Sequence, residues 1–401
     1  MERLDNMQVK ISDYLWFQEG PGVRNTQYTE TGVKLLNVAN LVDGKVDITN
    51  TSRYISEEEA YGKYKHFLVD DGDFIIASSG IKVEYFDKKM GFVTLDQLPL
   101  CMNTSTIRFK VIDKDKLNIR YFMYYLKSDE FKEQLARQIT GSAQLNFGPS
   151  HLKKMTMPII DLEEQEELVS NLDYVEYLIT ARQEQLTKLD ELVKSRFVEL
   201  FGTPLSNEKG WEIKSTGDVC SITDGSHFSP VGKEDGYPML SVRNMRNDGF
   251  HYDDCKLVSQ EDYDVLVKQG CKPLKNDVLI AKDGSYFYYG FVVKKEIEQA
   301  VLSSIAILRP NLEKIHPEYL CRYMLSSEIV DLVGKNYVTG AAIKRVILKG
   351  IKQIPIMLPP MALQNQFATF VKQTDKSKLA IQESLAELET LKKALMQKYF
   401  G

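Results

Sequence analysis

Gly32-Val33-Lys34-Leu35-Leu36-Asn37-Val38-Ala39-Asn40 and Gly236-Tyr237-Pro238-Met239-Leu240-Ser241-Val242-Arg243-Asn244 follow one pattern. Each is a short apolar strand opened by glycine and closed by asparagine, with a further glycine, Gly44 or Gly249, in the turn beyond. Further matches, offset by about half the chain, follow in the same order. Gly72-Asp73-Phe74-Ile75-Ile76-Ala77 matches Asn276-Asp277-Val278-Leu279-Ile280-Ala281, and each runs on to a glycine, Gly80 or Gly284. Tyr121-Phe122-Met123-Tyr124-Tyr125-Leu126-Lys127-Ser128 matches Tyr319-Leu320-Cys321-Arg322-Tyr323-Met324-Leu325-Ser326, both with amphipathic helical spacing. Thr140-Gly141-Ser142-Ala143 then matches Thr339-Gly340-Ala341-Ala342. Matches in the same order, each offset by about half the chain, mark a duplication of an α/β (α+β) unit of roughly 150 residues.

A long helical pattern follows each copy. Leu168, Leu172, Val175, Ile179, Leu186, Leu189 and Val193 step alternately by four and three, with Arg182 as a polar member of the row. Phe367, Val371, Ile381, Leu385, Leu388 and Leu395 hold the same frame, with Thr374 and Lys378 as polar members. This is an a/d heptad seam. Pro158 and Pro359-Pro360 stand where a helix can begin, and Phe201-Gly202 and Phe400-Gly401 where it stops. Residues 151–202 carry 6 basic and 11 acidic side chains, and residues 355–401 carry 6 and 4. Opposite charge favours packing the two helices against each other, as an antiparallel coiled coil. The chain order is a first globule (1–152), a central spacer helix (153–202), a second globule (203–352) and a C-terminal spacer helix (353–401).

Composition narrows the function. The 401 residues carry 51 basic and 56 acidic groups, net −5, with 43% hydrophobic residues, enough to bury real cores. No apolar run approaches the ~18 residues of a membrane span, and the N-terminus lacks a signal-peptide layout, so a cytoplasmic location and no membrane partner are expected. The five cysteines are scattered and read as reduced thiols. There is no P-loop, no His-Glu-x-x-His, no Gly-x-Ser-x-Gly and no metal-ligand spacing among the histidines. The duplicated residues are strand cores, turn glycines and helix faces, whereas a duplicated enzyme would repeat its catalytic residues. The expectation is a recognition or scaffolding protein with no catalytic residue, metal or cofactor of its own.

The loops carry side chains suited to nucleic acid. In the first copy these are Arg24, Asn25, Gln27, Ser79, Lys82, Thr140, Gly141, Ser142 and Gln144. In the second they are Ser226, His227, Arg243, Asn244, Arg246, Lys282, Ser285, Tyr286, Thr339, Gly340, Lys344 and Arg345. Arg and Lys suit guanine, Asn and Gln suit adenine, Ser and Thr reach phosphate, and glycine lets backbone approach closely. The frame repeats while these residues differ, as two readers of two different sequences require.

The layout resembles the specificity subunit of Type I restriction–modification systems. The resemblance rests on Thr140-Gly141-Ser142-Ala143-Gln144 followed by Met157-Pro158-Ile159 and Leu162-x-x-Gln165, and on Thr339-Gly340-Ala341-Ala342, Leu358-Pro359-Pro360 and Leu363-x-x-Gln366. Gly210-Trp211-Glu212-Ile213 and Asp224-Gly225-Ser226-His227 add to it; the first globule lacks the Gly-Trp-Glu opening. The resemblance implies two target-recognition domains on double-stranded DNA, each reading half of a split asymmetric site. It implies partners too: modification subunits, two of them, that use S-adenosylmethionine for adenine methylation, and restriction subunits that use ATP and Mg for translocation and cleavage in defence against foreign DNA. An alternative is the recognition part of a fused nuclease–methyltransferase, whose methyltransferase or nuclease domain would need extra length that this chain lacks. A coiled-coil scaffold without DNA specificity would not need the α/β globules.

Overall fold

The computed structural model describes residues 7–138, 145–340 and 344–401. Thr140, Gly141, Ser142 and Gln144 lie outside the described residues, as do Ala341 and Ala342. The chain divides into two compact units, residues 1–182 with 383–401 and residues 183–382.

The first unit is built on a four-stranded antiparallel sheet in the order Leu15–Glu19, Thr106–Val111, Phe74–Ala77, Met90–Phe92. A three-stranded sheet accompanies it, with Val33–Leu36 pairing parallel to Leu100–Met102 and antiparallel to Tyr54–Ile55. The second unit repeats both sheets. Cys220–Asp224, Ile305–Pro310, Val278–Ala281 and Gly290–Val292 form the four-stranded one. Tyr237–Leu240 lies between Lys256–Val258 and Ala300–Val301 in the other. Phe74–Ala77 and Val278–Ala281 are buried at every residue, which is why both read as unbroken apolar runs and not as alternating ones. The duplicated helices, Ile119–Lys127 and Pro317–Met324, cover these sheets with their aromatic faces.

The repeated residues have repeated jobs. A Cβ on Gly32 would stand 2.2 Å from the Ile55 carbonyl oxygen, and one on Gly236 would stand 2.1 Å from that of Val258; both glycines have positive φ. Tyr121 and Tyr125 donate to the carbonyls of Pro158 (3.1 Å) and Thr156 (2.6 Å). Tyr319 and Tyr323 donate to those of Met357 (2.9 Å) and Pro355 (3.0 Å). Those carbonyls belong to the strands Thr156–Ile159 and Pro355–Leu358, which pair antiparallel with Met7–Lys10 and Glu212–Ser215. The first globule therefore has its opening strand without the Gly-Trp-Glu sequence. In the second, the Trp211 indole donates to the Phe201 carbonyl (2.8 Å) at a helix end.

Gln165 and Gln364, both fully buried, explain the glutamines at the two helix starts. Gln165 accepts the Asn118 N–H (2.9 Å) and donates to the carbonyls of Lys116 (3.0 Å) and Ile160 (2.9 Å). Gln364 accepts the His316 N–H (2.8 Å) and donates to Pro359 (2.8 Å) and Lys314 (3.4 Å). Each fastens its long helix to the loop ahead of the duplicated helix. In the second copy the fastener is thus Gln364, one turn inside the helix as Gln165 is, and not Gln366.

The long helices are Leu162–Phe201 and Met361–Phe400, 40 residues each, within a residue of the expected stops. In the first unit Leu168, Leu172 and Val175 are buried, and Leu395 and Phe400 pack in the same core as Leu168 and Leu172. Phe400 lies 5.1 Å from Tyr121 and 5.9 Å from Tyr125, ring to ring. In the second unit Val193, Phe197 and Phe201 share a core with Phe367 and Val371. Ile179, Leu186, Leu189, Ile381, Leu385 and Leu388 are half-buried, so every seam residue is at least partly covered. The exposed apolar side chains of these helices, such as Tyr174, Tyr177, Leu192 and Leu379, are off the seam.

Ion pairs set direction within each unit. Lys392 meets Glu176 at 2.7 Å, and Lys127 meets the same carboxylate at 3.1 Å. Burial works against ionisation of Glu176, but the two lysines outweigh it and hold its carboxyl below the usual value. In the second unit the seam residue Lys378 pairs with Asp190. Later residues of one helix thus face earlier residues of the other, the antiparallel sense expected from the unequal charges. Thr374 is buried and returns its hydroxyl to the Phe370 carbonyl (3.0 Å).

Paired cysteines at 176 and 392, or at 190 and 378, are expected to form an intrachain disulfide on mild oxidation. The natural thiols compete weakly: Cys101, Cys220 and Cys321 are buried, with pKa pushed up to about 12 by desolvation. Non-reducing electrophoresis checks this. Cross-linking only between chains, or of neither pair, contradicts the pairing.

Candidate nucleic-acid interface

In each unit the polar loops gather at the end of the sheet where the strands Leu15–Glu19 and Cys220–Asp224 finish. In the second unit they gather around the turn before Ile305. Ser303 N–H donates to the Ser226 carbonyl (2.9 Å), and the Ser304 hydroxyl accepts the Val242 N–H (3.1 Å). The Ser304 carbonyl accepts the Lys282 N–H (2.9 Å), and the Lys282 carbonyl accepts the Val346 N–H (2.9 Å). Five segments that are far apart in sequence are thereby tied together. In the first unit Asn103 and Ser105 do the same work. Ser105 accepts the Ser78 N–H (2.8 Å), the Asn103 N–H reaches the Leu36 carbonyl (3.0 Å), and the Phe147 N–H reaches Ser78 (3.0 Å). Gly20 and Gly225 are required here, since a Cβ on either would stand 2.0 Å from a carbonyl oxygen, that of Asn103 or Val301.

The structure separates the expected site residues into two groups. Arg24, Asn25 and Lys82 of the first unit are exposed, as are His227, Arg243, Ser285, Thr339, Gly340, Lys344 and Arg345 of the second. The remaining described ones are engaged by the protein. Gln27 accepts the Arg24 N–H (3.1 Å) and donates to Glu59 (2.7 Å) and to the Tyr64 hydroxyl (3.0 Å). Ser79 bonds Ser105, hydroxyl to hydroxyl (2.5 Å). Ser226 is buried, accepting the Phe228 N–H (3.1 Å) and donating to its carbonyl (2.7 Å). Asn244 accepts the Ser241 N–H (3.1 Å), just as the buried Asn40 accepts that of Asn37 (2.8 Å). This bond commits the acceptor half of its amide to closing the turn. Arg246 is exposed yet donates to the carbonyls of Arg243 (3.0 Å) and Met245 (2.6 Å) and lies over the Tyr289 ring. Tyr286 packs into the second core.

Lys282 departs furthest from expectation. Its side chain is 8% exposed, and its ammonium sits between Asp224 (3.4 Å) and Asp283 (3.5 Å). Asp224 also faces His227 (3.3 Å), and Asp283 faces Arg345 (3.6 Å). Lys282 is a counter-ion inside the protein. In the first unit Glu19 ends the strand that Asp224 ends in the second, and burial pushes its carboxyl above the usual range.

Sequence reasoning missed some residues of this surface. Phe228 is 66% and Tyr288 68% exposed, large rings held out among the polar loops. Asn146, also exposed, lies opposite Ser79. Nothing in their local sequence distinguishes them from core aromatics or ordinary loop asparagines.

At the other end of the same strands each unit has a shallow groove. One is about 650 Å³ and bordered by Ile213, Lys214, Asp218 and Lys314; the other is about 660 Å³ and bordered by Val9, Lys10, Asp13 and Lys116. Among the described residues no group of three His, Cys, Asp or Glu side chains could hold a metal ion, and no helix is long and apolar enough to cross a membrane.

The sequence model of the Type I restriction modification DNA specificity domain matches this chain twice, over residues 29–190 and 208–391. The chain is similar to two proteins of Methanocaldococcus jannaschii across most of both lengths. The Type I restriction enzyme MjaIX specificity subunit is 23% identical over 411 residues, which is 91% of each chain. The putative MjaX specificity subunit is 23% identical over 389 residues, 91% of this chain and 85% of that one. In fold it is similar to the Type I restriction–modification S subunit from M. genitalium, with a TM-score of 0.59 at 15% identity over 100% of this chain and 98% of that one. A chain from a structure of type I R-M complex assembly gives 0.56 at 18% identity, covering 100% and 99%.

Proposed function

The chain belongs to the Type I restriction modification DNA specificity family, and we propose that it reads a bipartite, asymmetric duplex site, one half with each globule. It is the non-catalytic subunit of such a system. In this reading residues 1–152 and 203–352 are the target-recognition domains, joined by the strands Thr156–Ile159 and Pro355–Leu358 that pair with them, and the helices Leu162–Phe201 and Met361–Phe400 carry two modification subunits. Those subunits supply S-adenosylmethionine-dependent adenine methylation, and restriction subunits supply ATP- and Mg-dependent translocation and cleavage. All of these act in the cytoplasm.

One observation carries the reading. The two units share strand order, turn glycines and helix fasteners, yet their loop ends differ in charge and hydrogen-bonding character. Gln27, Ser79, Ser226, Asn244 and Lys282 shape those ends, and Arg24, Asn25, Lys82, His227, Arg243, Lys344 and Arg345 face the duplex. Methylation mapping of host DNA with and without this gene tests the assignment. A split motif should vanish on deletion, and an unchanged methylome rejects it.

Lys344, exposed beside the second reading surface, is assigned to a phosphate. Lys344→Ala is expected to weaken binding evenly across sequences and to lower the salt slope by about one. Salt titrations of binding check this, and a slope equal to that of the parent rejects the phosphate role.

A further inference from the structure

The two reading surfaces differ at one matched backbone position. Asn146 lies opposite Ser79 in the first unit, and Arg345 lies opposite Asp283 in the second. The next residue fixes the match, since Phe147 N–H donates to the Ser78 carbonyl (3.0 Å) and Val346 N–H to the Lys282 carbonyl (2.9 Å). Gly80 and Gly284 follow, with φ of 75° and 68°. The side chains of Asn146 and Arg345 are both exposed.

The seat under this position changes with its occupant. Beneath Arg345 a row of alternating charge runs from Asp283 through Lys282 to Asp224 and out to His227. Asp283 and Asp224 are each 14% exposed, while Arg345 is 59% and His227 78% exposed. The carboxylates and the lysine are inside and the two donors outside. Asp283 faces the Nε of Arg345, and among the described residues its Nη groups have no partner in the chain. Beneath Asn146 the same seat is mostly neutral: Ser78 replaces Lys282, Ser79 replaces Asp283, and Glu19 replaces Asp224. A lysine buried between two aspartates adds little to stability. What it does supply is a fixed carboxylate behind an arginine.

We propose that Arg345 and Asn146 are equivalent specificity-determining residues, one per half-site, and that Asp283 is a positioning residue acting through Arg345. Arg345 presents a planar pair of donors that fits the O6 and N7 edge of guanine, and Asn146 presents the donor and acceptor that fit adenine. Surface chance explains one exposed polar residue here. It does not explain a seat that sets a carboxylate, Asp283, opposite the arginine and a neutral hydroxyl, Ser79, opposite the asparagine.

The inference rests on the DNA-reading assignment, and the test distinguishes the two. The full chain, assembled with its modification subunits, selects from duplexes randomised across the site. For Arg345→Ala, roughly 5- to 100-fold loss of discrimination is expected at one base pair in one half, with all other positions kept. Asp283→Asn, which preserves shape, should relax that same base pair, and the double variant should lose no more than Arg345→Ala alone. Asn146→Ala should relax one base pair in the other half. Even weakening across all sequences with an unchanged motif, or Asp283→Asn relaxing a different base pair, overturns the proposal. A parent complex that selects no motif at all overturns the DNA-reading assignment itself, and this inference falls with it.

Discussion

Exchange of residues 203–358 for the second globule of another family member is expected to change one half of the methylated motif and leave the other half intact. The boundary follows from the strands. Glu212–Ser215 pairs with Pro355–Leu358 residue for residue, so a cut at 352 would force a donor strand to pair with a host strand. A cut at 358 carries both strands together and leaves Gln364 with the host helix. Gln364 then needs only backbone partners from the donor, the His316 N–H and the Lys314 carbonyl, and these do not depend on the donor's side chains. The side-chain requirement lies at Tyr319, whose ring packs 4.7 Å from Phe201 and 5.5 Å from Phe197 on the retained central helix. A donor with an aromatic residue there should assemble; one without it should lose about 3–5 kcal/mol at the helix seat, as for a deleted core aromatic. Sequencing of methylated DNA from cells carrying the exchange checks the outcome. Change in both halves, or in neither, rejects two independent readers.

Arg108→Met is expected to cost the first unit about 3–5 kcal/mol, the effect of removing one partner of a buried ion pair. Arg108 and Asp73 are each 5% exposed and 3.0 Å apart. The guanidinium also donates to the carbonyls of Leu68 (2.7 Å) and His66 (3.0 Å) and to Gln18 (2.8 Å). Its loss leaves a carboxylate with less compensation and two carbonyls unsatisfied. The second unit supplies the contrast. Arg309 holds Asp277 through two bonds of 2.8 Å but is 48% exposed, so water can replace it and Arg309→Met should cost markedly less. Urea unfolding followed unit by unit checks both variants, since a chain of two units need not unfold in one step. A shift below about 1 kcal/mol for Arg108→Met, or equal shifts for both variants, contradicts the argument.

The duplication, the sheet frame and the helix seam were legible in the sequence because their causes are local or periodic. Gly32 and Gly236 announce a backbone that no side chain fits, the runs at 74–77 and 278–281 announce strands covered on both sides, and a four-three step announces a helix seam. The unequal charges of the two helices favoured packing them together, and the pairs Glu176 with Lys392 and Asp190 with Lys378 are where opposite charges meet. The reading surface was legible only as a set of loops. Residue type told that Lys282, Asn244, Ser226 and Gln27 are polar, but not what satisfies them. Lys282 meets Asp224 from a distant strand end, and Gln27 meets Glu59 and Tyr64. Such pairs meet only when a sheet end gathers distant loops. The same holds for Asn146, which gained meaning only when its strand was found opposite Ser79. Periodicity records which face of an element is covered. Whether a polar group on a loop meets solvent or a distant charge is decided by chain segments that local sequence does not contain, and here that decision belongs to the tertiary structure.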